Sequence, residues 1–249
     1  PVYYVALESD RMEMVSRLTV LEYSEPPLTE VRRAAQTHRT RENWSDLYHG
    51  KSELMPELEK GTRALRTLPL SFIFGEPLRW NPEELRELLR ADHKAGKQPL
   101  VVVDFLQLIG SGETQGRVDI RERISAGSYQ LRSLARKYNA AILVLSATPR
   151  KNYDLFDGTR SGFNLGTTPP EKLQGSGKES GEIEYAAATV IALCREQWEE
   201  GKDPPPVHVG VVKARAGMRG WIGPLGFDGT GFTKRPGNKQ GSGGNDEVR

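Results

Sequence analysis

The run Leu100-Val101-Val102-Val103-Asp104-Phe105-Leu106-Gln107-Leu108-Ile109 decides the fold of this chain. Four apolar residues, three of them β-branched, read as a strand buried on both faces, the kind found inside a parallel sheet. The run then delivers a carboxylate, Asp104, to the C-terminal end of that strand. In open α/β sheets ligands bind at that edge. A buried strand tipped with Asp is what a nucleotide site uses to hold Mg²⁺ through water. An Asp at a strand end is also an ordinary turn former, so the surrounding sequence has to decide between the two.

Working outward, strand-like and helix-like segments alternate. Residues 2–7 read as a buried strand. Ser9 or Asp10 caps a helix with Met14, Val15, Leu18 and Leu21 on one face, stopped by Pro26-Pro27. Residues 28–66 read as polar and helix-rich. Leu70 to Phe74 is a second strand, and Asn81-Pro82-Glu83-Glu84 starts a helix with a cap, a proline in the first turn and acids at the positive end of the dipole. After the strand of Asp104 comes a polar loop, 110–118. Ile120, Ile124, Leu131, Leu134 and Tyr138 then mark a long amphipathic helix.

Ala141 to Leu145 is the next strand, and residues 149–181 read as a functional or mobile loop, too long to be a mere connection. Ala186 to Leu193, Val207 to Val212 and Trp221 to Phe227 are further strands. Residues 236–249 read as a flexible tail. The βα alternation predicts a mostly parallel twisted α/β sheet, covered on both faces by helices, with antiparallel strands at the C-terminal edge.

The composition fits one large α/β domain. The chain has 249 residues, 37% hydrophobic and 27% charged, with a net charge of +2 from 35 Lys+Arg against 33 Asp+Glu. That balance gives no general attraction to nucleic acid, so any basic surface is local. The single cysteine, Cys194, allows no internal disulfide and suits a reducing compartment such as the cytoplasm; in its apolar run it reads as a small core residue. No apolar run approaches 18 residues, so no membrane span is expected.

Several residues could carry chemistry. Glu8 follows the first strand and, if the strands are parallel, shares an edge with Asp104. Two carboxylates there divide labour: one organises Mg²⁺, the other orients and deprotonates an attacking water. By itself Glu8 is equally a helix-entry acid. Lys213 and Arg215, two apart just past a strand, reach one side of an extended chain and suit a phosphate clamp or arginine finger. Gly50-Lys51-Ser52 mimics the end of a phosphate-binding loop, G-x-x-x-x-G-K-[ST], but Ser45 stands where the first glycine belongs. Gly177-Lys178 fails because Glu179 follows it. The chain contains no phosphate-binding loop.

In order along the chain, these segments resemble the C-terminal motor domain of DnaB-type replicative helicases, ring-forming ATPases of RecA-like fold. Pro1 to Glu8 is similar to that family's "PVLFFSLE", and Val102 to Leu108 to its Walker B strand "IIDYLQL". Val144 to Arg150 resembles "ALSQLNR", and Glu179 to Glu184 resembles "ESGSIEQ". Val211 to Gly217 resembles "IAKQRNG", and Leu225 to Asp228 resembles the closing "LTFDG". The resemblance covers roughly residues 1–235.

It implies a motor that couples ATP hydrolysis to movement along single-stranded DNA as a homo-oligomer, a hexameric ring, with ATP and Mg²⁺ as cofactors. Glu8 would activate water and Asp104 would hold Mg²⁺. Arg150 would contact the nucleotide, and Lys213 and Arg215 would reach the ATP of a neighbouring subunit. Lys178, Glu179 and Gly181 would lie near the DNA backbone. Lys178 replaces the family's Arg, Ala147 its phosphate-sensing Gln, and Tyr185 another Gln. The rivals are another RecA-fold ATPase, such as a plasmid or phage replication protein or a recombinase, and a non-hydrolysing DNA-binding ring scaffold.

Overall fold

Four parallel strands form the first sheet, in the order β2-β1-β3-β4. They are β1 (Val2–Ala6), β2 (Leu70–Phe74), β3 (Leu100–Asp104) and β4 (Ala141–Val144). The computed structural model describes residues 1–24, 45, 48–51, 63, 66–110, 119–176, 181–197, 205–227 and 232–234. Most of the 28–66 stretch, all of the 110–118 loop except Gly110, and the 236–249 tail lie outside them.

Local signals set the helices. Helix α1 (Arg11–Ser24) starts where Asp10 Oδ1 accepts from the Glu13 backbone N–H at 2.8 Å. At Asn81 the capping box is complete, with the Asn81 side chain on the helix backbone and the Glu84 carboxylate on the Asn81 N–H. It opens a 3₁₀ turn, Pro82–Leu85, that runs into α2 (Arg86–Lys94). Helix α3 (Ile120–Tyr138) is capped by Asp119 and ends at Asn139, which adopts the left-handed conformation (φ 51°). The predicted span of this helix matches the observed one.

One face of the parallel sheet is sealed. Val5, Val101 and Val103 pack with Leu85 and Leu89 and with the α3 stripe Ile124, Leu131, Leu134 and Tyr138. Each fully buried side chain of this kind is worth about 1.5–3 kcal/mol. Gly110 sits where the chain leaves this core: a Cβ there would lie 2.5 Å from the Leu78 carbonyl oxygen.

The other face is less fully covered. Tyr4, Phe72 and Val102 on it are half-buried, while Phe74, Leu100 and Leu143 are 39%, 38% and 49% exposed. Helix α1 lies against this face near β2 and β1, with the Arg11 guanidinium 5.6 Å from the centre of the Phe74 ring and the Glu13 and Arg17 charges acting on Tyr4. The expected α/β sheet flanked by helices is therefore observed, with the second face covered in part among the described residues.

The antiparallel strands form their own sheet, β5-β6-β7-β8, from β5 (Thr189–Arg195), β6 (Val207–Ala214), β7 (Gly220–Phe227) and β8 (Phe232–Lys234). Among the described residues no ladder joins β4 to β5; each has a strand on one side only. The expected strand Ala186–Leu193 begins later, because Ala186 closes a short helix. Residues 149–176, expected as a functional or mobile loop, are instead a packed segment. They contain a 3₁₀ turn (Arg150–Asn152), helix α4 (Tyr153–Phe156) and a second 3₁₀ turn (Pro170–Leu173). Leu155, Phe163 and Leu173 from it bury against Ala192, Cys194 and Val212. Burial there pushes the Cys194 thiol up to about 12, so the cysteine is a core residue. No helix among the described residues is long and apolar enough to cross a membrane.

Candidate active site

Parallel pairing fixes the first relationship. Ala6 stands opposite Asp104 in the β1–β3 ladder, and the Leu7 N–H donates to the Asp104 carbonyl at 2.9 Å. Glu8 and Asp104 therefore leave the sheet at the same C-terminal edge, Glu8 exposed and Asp104 half-buried. The peptide between Asp104 and Phe105 is cis.

The Asp104 carboxylate is held by an unexpected neighbour. The Tyr4 hydroxyl donates to Oδ2 at 2.6 Å. Burial first, then the hydrogen bond and charge of Asp104, push the Tyr4 pKa well above the usual tyrosine range, so Tyr4 stays a donor. Oδ1 accepts from no described group. A carboxylate oxygen with no described hydrogen-bond donor at a sheet edge suits Mg²⁺, directly or through one of its waters.

Chain leaving β4 arrives at the same edge. Gln107, buried just past β3, donates from Nε2 to Ser146 Oγ at 3.0 Å and accepts the Ala147 N–H on Oε1 at 3.2 Å. It ties the Asp104 turn to the end of β4. Ala147, in the position where the resemblance expects a phosphate-sensing Gln, offers only its backbone there. Arg150 follows on this stretch at the start of the 3₁₀ turn, exposed.

Lys213 and Arg215 belong to the other sheet, at the end of β6. Lys213 Nζ donates to the Glu184 carbonyl, and Arg215 Nη2 to the Tyr185 carbonyl at 2.8 Å. Both carbonyls belong to helix α5 (Gly181–Ala186). Burial, then the nearby Arg215 charge, with further contributions from Arg132 and Arg219, lower the Lys213 pKa; Glu184 opposes them. Among the described residues no hydrogen bond or ion pair links Lys213 or Arg215 to Glu8 or Asp104. Gly181 opens α5, while Lys178 and Glu179 lie outside the described residues.

A family model for the DnaB-like helicase C terminal domain matches residues 1–231. The chain belongs to the DnaB-like helicase C-terminal domain family. Two solved structures share the fold of this DnaB-like domain. One is described as a DnaB-like replicative helicase and its interactions with primase: TM-score 0.63, 20% identity, covering 93% of this chain and 51% of that one. The other, described as an ATPase domain, matches with TM-score 0.63 and 21% identity over 93% of this chain and 73% of that one. The DnaB-like domain here thus spans about half the length of the first of these. The fold is RecA-like. No curated protein matches the chain in sequence.

Sequence reasoning placed Glu8 and Asp104 at one edge and missed Tyr4 and Gln107. Gln107 carried a weak signal, a polar residue in an otherwise apolar turn. Tyr4 carried none, because the contact depends on which strand lies beside β1.

Proposed function

We propose that this chain is the ATP-hydrolysing motor of a hexameric replicative helicase that moves along single-stranded DNA. The observation that carries the reading is the shared edge of Glu8 and Asp104, with Lys213 and Arg215 at the end of β6 in the other sheet, bonded to α5 carbonyls. One copy then offers the carboxylates and the next copy offers the cations.

In this reading Glu8 orients and deprotonates the attacking water, and Asp104 holds Mg²⁺. When bound, Mg²⁺ neutralises charge on the terminal phosphates. Arg150 contacts the nucleotide. Lys213 and Arg215 stabilise the charge of the neighbour's transferring phosphoryl group. Lys178, Glu179 and Gly181 face the DNA backbone, so affinity falls with salt.

The phosphate-binding loop comes from outside residues 1–249. Such a loop lies between a strand and a helix. Among the described residues β4 and β5 each have one unpaired edge where a further strand could add, and Leu100 and Leu143 are exposed where a further helix could pack. All-parallel sheets are ordinarily covered on both faces, which supports the same reading. Ala147 favours a rival, a non-hydrolysing ring scaffold, since a methyl group cannot hydrogen-bond a phosphate.

The test compares ATP turnover by residues 1–249 alone with turnover by the chain joined to a relative's strand–loop–helix unit, each with and without oligo(dT). The reading expects turnover, stimulated by oligo(dT), only in the joined protein, which assembles as a hexamer. Joined hexamers that bind ATP and DNA without turnover would favour the scaffold.

A further inference from the structure

Two adjacent tyrosines on β1 make the same bond on opposite faces of the sheet. Tyr3 donates from its hydroxyl to Asp92 Oδ2 at 2.6 Å, on the sealed face, where Asp92 on α2 is buried. Tyr4 donates to Asp104 Oδ2 at 2.6 Å, on the open face and one strand away. The first bond joins a strand to a helix. The second ends on the carboxylate at the edge of the candidate site.

We infer that Tyr4 is a positioning residue for Asp104, fixing Oδ2 so that Oδ1 is the oxygen presented at the sheet edge to a metal ion or its bound water. Three observations support this. A carboxylate has two oxygens and about four lone-pair sites; Tyr4 occupies one of them, and Oδ1 accepts from no described group. Phe72 packs beside the Tyr4 ring at 5.8 Å between centroids, which limits its swing. Tyr4 and Asp104 sit on neighbouring strands of a continuous ladder, whose register holds the hydroxyl within reach of the carboxylate. Groups that orient a ligating carboxylate change metal affinity about 10–100-fold when removed.

The inference rests on the reading of Asp104 as the Mg²⁺-holding residue, and the test separates the two. Mn²⁺ is titrated into the assembled protein with a non-hydrolysable ATP analogue, and free Mn²⁺ is followed by its EPR signal, so no turnover is needed. Tyr4→Phe keeps the ring and removes the hydroxyl. The expected result is Mn²⁺ affinity weakened about tenfold in Tyr4→Phe, with Tyr3→Phe unchanged. Wild-type affinity in Tyr4→Phe, with binding lost in Asp104→Asn, would overturn the positioning role and keep the metal site. Equal weakening in Tyr3→Phe and Tyr4→Phe would also overturn it, by showing a general loosening of β1. Wild-type affinity in Asp104→Asn would overturn the metal reading and the inference with it.

Discussion

Gln107 and Ala147 are joined across the ends of two parallel strands: the Ala147 N–H donates to Gln107 Oε1 at 3.2 Å, while Gln107 Nε2 donates to Ser146 Oγ at 3.0 Å. The turn that follows Asp104 is thereby locked to the chain leaving β4. With Glu8 on the other side, three successive strands of one sheet deliver their C-terminal ends to one place, the usual location of a ligand site in an open parallel sheet.

Replacing Gln107 by Ala removes both bonds and leaves the Ala147 N–H without its partner. The expected cost is about 1–3 kcal/mol of stability, read as a lower urea midpoint with an unchanged slope. Because the two strand ends lose their tie, nucleotide turnover in the assembled protein should fall further than the stability loss predicts.

Glu8→Gln keeps the side chain's size and removes its basicity. Nucleotide binding should persist, and hydrolysis should fall by roughly 10²–10⁴-fold, the range of general base catalysis. Comparing fluorescent nucleotide binding with steady-state turnover separates the two. Unchanged turnover would remove Glu8 from the mechanism.

Much of this architecture was legible in the chain. Leu70–Phe74, Leu100–Asp104 and Ile120–Tyr138 announce themselves through β-branched or aromatic runs, caps and a 3.6-residue apolar stripe, all of which are local. Three features were not legible, each for a non-local reason. The packing of residues 149–176 depends on Leu155, Phe163 and Leu173 meeting a sheet whose strands come later in the sequence. The break between β4 and β5 among the described residues is a matter of strand order, which periodicity does not encode. The Tyr4–Asp104 bond needs the β1–β3 register.

Alkaline pH should weaken the fold in a defined window. Burial, then the bond to Asp92, raises Tyr3 from 10.0 to about 12; Tyr4 is raised further, by burial and Asp104. A group whose folded pKa is raised contributes stability that is fully present below its unfolded pKa and is lost as pH climbs through the folded one. Stability should therefore decline from pH 10.0 upward toward about 12. The Cys194 thiol adds to the decline from pH 9.0. Urea midpoints across this range check it: the Tyr3→Phe/Tyr4→Phe variant should show a shallower fall, whereas an identical fall would refute the assignment to these tyrosines.

Arg215→Ala removes a cation whose side chain, among the described residues, bonds to the Tyr185 carbonyl and sits near Lys213. The fold should therefore survive with a small change in thermal midpoint. Turnover in the ring should drop by about 10³–10⁵-fold, the usual worth of an arginine finger, with nucleotide affinity much less affected.

The most direct measurement of the central claim mixes two inactive proteins. Arg215→Ala subunits keep Glu8 and Asp104; Glu8→Gln subunits keep Lys213 and Arg215. If one copy completes the site of the next, assemblies formed from both should recover turnover, greatest near equal proportions. Turnover that stays at the level of the separate variants at every ratio, in assemblies shown to contain both subunits, would contradict it.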